Sequence, residues 1–309
     1  MAVPEAAQGI TAVVVTYNPD PEQLARLCQA VQPQVEHVVL VDNGSSAETL
    51  AALQALVEGP SSALTLLAQG ENRGIGAAQN AGIAMARQHG SRYVLLLDHD
   101  SIPEADMVAT LRAAIEDQPA GSPPVAAAGP RYADARQTTN PSPFVQLEGF
   151  KRVRCECQHA GQLIEVEHLI ASGSLIPMAV LDAVGDMDER LFIDYVDIEW
   201  CLRAAHAGYR MLGVCDARMQ HELGDTPIRF MGKHLPDHSP LRHYYLFRNA
   251  LLLQRMPHIG WRWKVVDAYQ TVMKYGFYAL VATPRLPRIR MMNRGLWDGL
   301  LGRGGAYRQ

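Results

Sequence analysis

Residues 11–45, TAVVVTYNPDPEQLARLCQAVQPQVEHVVLVDNGS, decide the fold. Thr11–Thr16 and His37–Val41 are aliphatic on both faces, which suits strands covered on both sides. Each run stops at turn residues, Tyr17-Asn18-Pro19 after the first and Asp42-Asn43-Gly44 after the second. Between them, Leu24, Leu27 and Cys28 recur at helical spacing within Pro21–Ala30. Strand, helix, strand is the repeating unit of a parallel sheet. The rhythm continues with a strand at Leu64–Leu67, a Gly/Ala-rich helix over Asn72–Arg87 and a strand at Tyr93–Leu97. A helix over Glu104–Asp117 and a fifth strand at Val125–Gly129 follow. The expectation is an α/β chain with a doubly wound, Rossmann-like sheet, whose ligands sit beyond the carboxyl ends of the strands. Asn72-Arg73-Gly74-Ile75-Gly76 is not a dinucleotide fingerprint, because no G-x-G-x-x-G follows the first strand; an NAD site is excluded.

Past residue 130 the pattern loosens. Tyr132–Glu167 is rich in Pro, Gln and Thr, Leu169–Ala179 is apolar with small residues, and Val180–Leu191 carries Leu181, Val184 and Met187. Two aromatic, basic helices are expected at Leu241–Gln254 and Trp261–Ala282, the second stopped by Pro284. Charge divides the chain at the same place. From Arg229 onward fourteen Lys/Arg face three acids, a net of +11, which leaves −15 on the first 228 residues given the total of −4. We therefore expect an acidic body over 1–228 and a basic helical region over 229–309. In the Trp261–Ala282 helix, Trp263, Val266, Tyr269, Met273 and Phe277 alternate with Arg262, Lys264 and Lys274. Such a helix suits a membrane interface, and equally a seat against the body.

At 309 residues, 48% hydrophobic and 19% charged, the chain is a globular protein with room for a sizeable core. A net charge of −4 argues against a nucleic-acid partner. Five cysteines (28, 155, 157, 201 and 215) lack zinc-site spacing and read as reduced thiols. The start, MAVPEAAQG, lacks the basic and apolar stretches of a secretory leader, and no window reaches 18 uninterrupted apolar residues. Cytoplasmic residence is the expectation.

The chemistry concentrates at strand ends. LLLDHDSI, residues 95–102, drives an aliphatic strand into Asp98, His99 and Asp100. Paired carboxylates there suit a hard divalent cation that neutralises a leaving diphosphate, or a plain solvated turn. Asp42 ends its strand beside Asn43-Gly44-Ser45, small residues that let a flat ligand approach. FIDYVDIEW, residues 192–200, carries three acids; Asp197 heads a helix among Phe192, Ile193 and Val196, an apolar surround for a base. His221 follows a further aliphatic stretch, and Arg248 lies in a helix with Tyr244, Tyr245 and Phe247, placed to clamp a phosphate or pair with an acid.

Taken in order, TYNP (16–19), VDNGS (41–45), Asn72, Gly74 and Asn80, LLDHDS (96–101), IASGSLI (170–176), FIDYVDIEWCLRAAHAGY (192–209) and His221 resemble the family 2 inverting glycosyltransferases. Within that family they are most similar to the bacterial rhamnosyltransferase branch, whose members read LDQDS where this chain has LDHDS. The resemblance implies a GT-A fold. It makes Asp42 the acceptor for the donor base, with Thr16, Tyr17, Asn18 and Asn72 lining the nucleotide site and Asp98 and His99 near ribose, diphosphate and sugar. It makes Asp100, with Asp98 and His221, the ligands of Mg²⁺ or Mn²⁺, Asp197 the catalytic base, and Glu199 a supporting acid. The leading Glu of the family's catalytic pair is Val196 here. The implied donor is dTDP-β-L-rhamnose, and the implied acceptor a lipid-linked glycan, a lipopolysaccharide core or a lipid, met at the inner face of the cytoplasmic membrane. A UDP-hexose donor and a non-catalytic nucleotide-sugar-binding protein stay open. A nucleotidyltransferase does not, since no basic phosphate loop follows the first strand.

Overall fold

The computed structural model describes residues 5–59, 64–133, 144–221, 228–230, 233–235 and 238–308. Its N-terminal half is β1 (Ile10–Thr16), α1 (Pro21–Val31), β2 (His37–Asp42), α2 (Ala47–Val57), β3 (Leu64–Ala68), α3 (Ile75–Gln88) and β4 (Tyr93–Asp98). These strands lie in the order β3-β2-β1-β4, all parallel. Alternate side chains separate onto two faces. Val13, Val15, Val39 and Val41 join one core, while Ala12, Val14, Val38 and Leu40 join the other. That is the double coverage the aliphatic runs require. Asp20 caps α1 by accepting from the Gln23 backbone N–H, and Ser46 caps α2 from Thr49. Gly82 lets α3 lie directly on β1: a Cβ there would stand 2.2 Å from Val13 Cγ1.

The second half departs from the doubly wound expectation. It comprises β5 (Ser101–Pro103), α4 (Met107–Glu116), β6 (Val125–Ala133), β7 (Phe144–Glu148), β8 (Lys151–Cys155), β9 (Leu163–Val166), β10 (Leu175–Pro177), α5 (Met178–Val184), α6 (Val196–His206) and β11 (Arg210–His221). The sheet continues from β4 through β10, β6 and β11 to β5, with β9 also on β11. Here β10 runs antiparallel to both β4 and β6, and β5 and β9 run antiparallel to β11, so the sheet is mixed. Three-residue strands such as β5 and β10 are too short to show a period. A short pair, β12 (Ile228–Phe230) and β13 (Lys233–Leu235), precedes α7 (Pro240–Gln254), α8 (Trp261–Leu280) and α9 (Arg285–Leu300). Pro284 ends the preceding segment as expected, and also opens α9, which the sequence reading did not separate.

The expectation of five reduced thiols is corrected. Cys157 and Cys215 form a disulfide across 58 residues, tying the segment after β8 to β11. Cys28 and Cys201 are buried free thiols, and burial pushes them up to about 11 and about 12, far from thiolate chemistry. Among the described residues, no helix is long and apolar enough to cross a membrane.

Candidate active site

Register assembles the site before any side chain does. Thr16 pairs with Asp42 across β1–β2, and Val15 pairs with Asp98 across β1–β4, so three strands end together. Asp42 is 1% exposed. Its Oδ2 accepts from the backbone N–H of Gly44 (3.3 Å) and Ser45 (3.1 Å), and its Oδ1 from Thr16 Oγ1 (3.5 Å). Gly44 sits at φ +85°, and a Cβ there would lie 2.4 Å from the Glu71 carbonyl carbon; only glycine brings the two loops this close. The loops are stitched by Asn43 Nδ2 donating to Asn72 Oδ1 (3.3 Å) and Arg73 N–H to Asn43 Oδ1 (2.9 Å). Asn18, in the left-handed region at φ +45°, accepts at Oδ1 from Ser46 N–H (2.9 Å), while its own N–H donates to Ser45 Oγ (2.8 Å). Tyr17 is left 48% exposed at the rim. Thr16, Tyr17, Asn18, Asp42 and Asn72 thus form one neighbourhood.

Asp98, His99 and Asp100 are half-buried at the next strand end. Behind them lies a hydroxyl pair that the sequence reading missed. Ser172 Oγ accepts from Asp98 N–H (3.0 Å) and contacts Ser101 Oγ (2.6 Å), which donates to Asp100 Oδ1 (3.4 Å). The SGS within IASGSLI is the signal, because Gly173 at φ +87° packs against Pro130 and brings Ser172 to the strand end. Asp98 and Asp100 are hard oxygen donors of the kind Mg²⁺ and Mn²⁺ take. The backbone of His221 pairs with Ser101, next to Asp100, while its side chain lies outside the described residues. Among the described residues, no group of three His, Cys, Asp or Glu side chains could hold a metal ion.

The third component is the turn before α6. Phe192, Asp194 and Tyr195 all have positive φ (65°, 63° and 66°), a conformation non-glycine residues take only where their surroundings impose it. Gly74 meets this turn: Ile75 N–H donates to the Phe192 carbonyl (2.7 Å), and Asn80 is bonded both ways to Met187. Asn72, Gly74 and Asn80 are thereby explained as the joint between the first half and the turn. Asp197 opens α6 and accepts from its neighbour Ile198 N–H (2.9 Å) and from Ala171 N–H. Burial raises its carboxyl above the ordinary aspartate value, against the pull of His168. A carboxylate held up by desolvation is a stronger base than a wet one.

Two residues are not brought to these strand ends. Glu199 is 2% exposed and engaged by Arg203 (2.9 Å) and His258 (2.9 Å). Arg248 is 0% exposed, and its guanidinium donates to the carbonyls of Arg190 (3.1 Å), Leu191 (2.8 Å) and Gly305 and to Asn249 Oδ1 (2.9 Å).

A mixed sheet with a buried carboxylate at one strand end, paired acids at the next and a half-buried aspartate bonded to Ala171, beside the Ser172 that holds Asp98, matches a GT-A architecture. The Glycosyl transferase family 2 profile matches residues 11–160, and the chain belongs to that family; it is a glycosyltransferase, which sets aside the non-catalytic reading. It is 34% identical over 251 residues to dTDP-rhamnosyl transferase RfbF of Shigella flexneri, covering 81% of each chain. It is 26% identical over 303 residues to galactofuranosyltransferase GlfT1 of Mycobacterium tuberculosis, covering 94% of this chain and 93% of that one. Among solved structures, S. aureus TarS 1–349 in complex with UDP-GlcNAc matches with a TM-score of 0.60 at 16% identity, covering 95% of this chain and 81% of that one. GalNAc-T7 with UDP, GalNAc and Mn²⁺ matches at 0.60 and 14%, covering 91% of this chain but 58% of that longer one. These two likenesses speak for the fold.

Proposed function

We propose that the protein transfers L-rhamnose from dTDP-β-L-rhamnose to a hydroxyl of a bacterial glycan or glycolipid, with inversion at the anomeric carbon. The observation that carries the donor is the 34% identity to a dTDP-rhamnosyl transferase over 81% of both chains. Asp42 accepts from the donor base, and the exposed Tyr17 ring covers it. Asp197 takes the proton of the acceptor hydroxyl, whose oxygen attacks the anomeric carbon opposite the nucleotide; the carbon–oxygen bond to the diphosphate breaks, and the nucleoside diphosphate leaves with the electron pair. The raised carboxyl of Asp197 supports this role. Asp98 and Asp100, with His221, would hold Mg²⁺ or Mn²⁺, which neutralises the departing diphosphate when bound. The acceptor is a lipid-linked glycan, a lipopolysaccharide core or a lipid, met at the inner face of the cytoplasmic membrane.

A second reading, a donor other than dTDP-rhamnose such as a UDP-hexose, is supported by the similarity along 94% of the chain to GlfT1, a protein named for transfer of a different sugar, galactofuranose. Calorimetric titration with dTDP-rhamnose, UDP-glucose, UDP-galactose and GDP-mannose, with Mn²⁺ and then with EDTA, separates the two. Metal-dependent binding of dTDP-rhamnose alone is the expected result. Preference for a UDP-sugar overturns the donor assignment and leaves the base assignment standing.

A further inference from the structure

The buried and exposed faces of α8 have different chemistry. Inward, Trp263 packs edge-on against Tyr195 and Asp267 accepts from the Tyr195 hydroxyl (3.0 Å), two residues from Asp197. Outward, Trp261, Val265, Tyr269, Val272, Met273 and Leu280 form an apolar stripe at helical spacing, each more than half exposed. Phe150, at the turn between β7 and β8, extends it, stacking edge-on against Trp261 at 5.5 Å while itself 53% exposed. A contiguous apolar stripe of this length is unusual on a protein surface that faces only water.

Charge says what covers it. Among the described residues beyond 221, the acids are Asp267 and Asp298, and both are buried. Of the basic residues, Arg248 and Arg288 are buried, while Arg255, Arg262, Arg285, Arg290, Arg294, Arg303 and Arg308 are exposed. Asp298 is already engaged by Arg294 (3.2 Å) and Arg303 (3.1 Å). The described surface of this helical region therefore carries exposed positive charge and no exposed acid, together with an apolar stripe that carries Trp and Tyr, and Arg262 lies over the Trp261 ring. A second copy of the chain would bring the same positive charge to its own image; an anionic lipid surface meets both properties at once. Helix α9 packs against α8, so the arginines at the start of α9 lie beside the end of the stripe.

We infer that the outer face of α8, with Phe150 and the exposed arginines of α9, seats the protein on an anionic lipid surface. The Asp267–Tyr195 bond places that seat against the turn that carries Asp197, so an acceptor anchored in the lipid presents its hydroxyl at the base. The inference rests on the base and acceptor readings proposed above, goes beyond them, and is independent of the donor assignment.

The test is flotation of the full chain with vesicles of phosphatidylcholine, with and without phosphatidylglycerol. Binding to the anionic vesicles that weakens with salt is expected. A Trp261→Ser/Tyr269→Ser/Val272→Ser variant should lose partitioning by about tenfold or more. Arg285→Glu/Arg290→Glu should lose the preference for phosphatidylglycerol by a similar factor. Both variants should keep the wild-type melting temperature and donor affinity, so failure here is distinguishable from failure of the donor reading. Wild-type protein that ignores anionic vesicles, or variants that bind them equally, overturns the proposal. So does a wild-type dimer in sedimentation velocity that the serine variant converts to monomer without any vesicle binding.

Discussion

Asp197→Asn separates catalysis from stability. The substitution keeps shape and one acceptor oxygen for the Ile198 and Ala171 N–H groups, so at most one hydrogen bond is lost, about 1–3 kcal/mol. Against that, it removes a carboxylate whose burial disfavours the charged form. The sign follows from the raised value: the wild-type carboxyl contributes most to stability when protonated, below its unfolded value, and that contribution is lost as pH rises through the folded value. The variant should therefore melt close to wild type at neutral pH and fall behind it as the solution is acidified. Transfer behaves oppositely. The base works only when ionised, so wild-type rates should fall on the acid side at a pH above the ordinary aspartate range. The variant should lose about 10²–10⁴-fold in kcat, or about 3–5 kcal/mol of barrier, with donor Kd unchanged. Radiolabelled transfer with saturating donor, alongside calorimetry, measures both quantities. A folded Asp197→Asn protein that transfers within threefold of wild type, or that loses donor affinity instead, refutes the assignment.

Asp100→Ala should abolish the divalent-cation dependence of donor binding while shifting the melting temperature little, because Asp100 ends a half-buried turn; unchanged Mn²⁺-dependent calorimetry counts against it. Arg248→Met should cost about 3–5 kcal/mol, since it strips donors from the carbonyls of Arg190, Leu191 and Gly305, yet donor Kd measured on the folded fraction should not move. A weakened Kd with normal stability would instead put the guanidinium on a phosphate. Gly82→Ala should destabilise by about 1–3 kcal/mol, read by urea denaturation, because its Cβ cannot share space with Val13 Cγ1.

The first half of the fold was legible because its code is local. Buried parallel strands are continuous aliphatic runs, and TAVVVT and HVVLV fall on β1 and β2 within a residue. The strand ends followed, and with them Asp42 and Asp98, since a residue at the close of a run needs no further information to be placed there. The far half of the sheet was not legible: β5 and β10 have three residues each, and their direction is set by partners about 50–120 positions away in sequence. The same limit governs side chains. Asp197 and Glu199 are equivalent acids in the string IDYVDIEW, but two positions on a helix turn them to different faces, one toward Ala171 and the other toward Arg203 and His258. Arg248 read as a phosphate clamp or the partner of an acid because nothing in its neighbours reveals that a turn nearly 60 positions earlier takes its donors. Cys157 and Cys215 read as thiols because their proximity comes from the pairing of β9 with β11, which no local pattern announces.

That turn is where the C-terminal helices enter the chemistry. Three positive φ values at 192, 194 and 195 cost of order 1–3 kcal/mol each and persist only when surrounding contacts offset them. Asn249 is central to that hold: its Nδ2 donates to the carbonyls of Leu191 (2.8 Å), Ile193 (2.8 Å) and Asp194 (2.9 Å), while Arg248 Nε fixes the amide by donating to its Oδ1 (2.9 Å). Phe192 stacks on Tyr245 at 4.8 Å, and Tyr195 is held from α8 by Asp267. Asn249→Asp changes one group and tests the whole arrangement. It keeps the volume and the bond to Arg248, but turns an acceptor oxygen toward three carbonyl oxygens. Losing the amide donors and leaving those carbonyls desolvated costs about 3 kcal/mol, a fall of about 5 °C in melting temperature for a chain of this size. Because the turn aims Asp197, kcat should fall together with stability even at temperatures where the variant is fully folded. Donor affinity, which the proposal assigns to the separate ends of β1, β2 and β4, should hold. If Asn249→Asp melts as wild type, or if it weakens donor binding and spares kcat, the turn is not what positions the base.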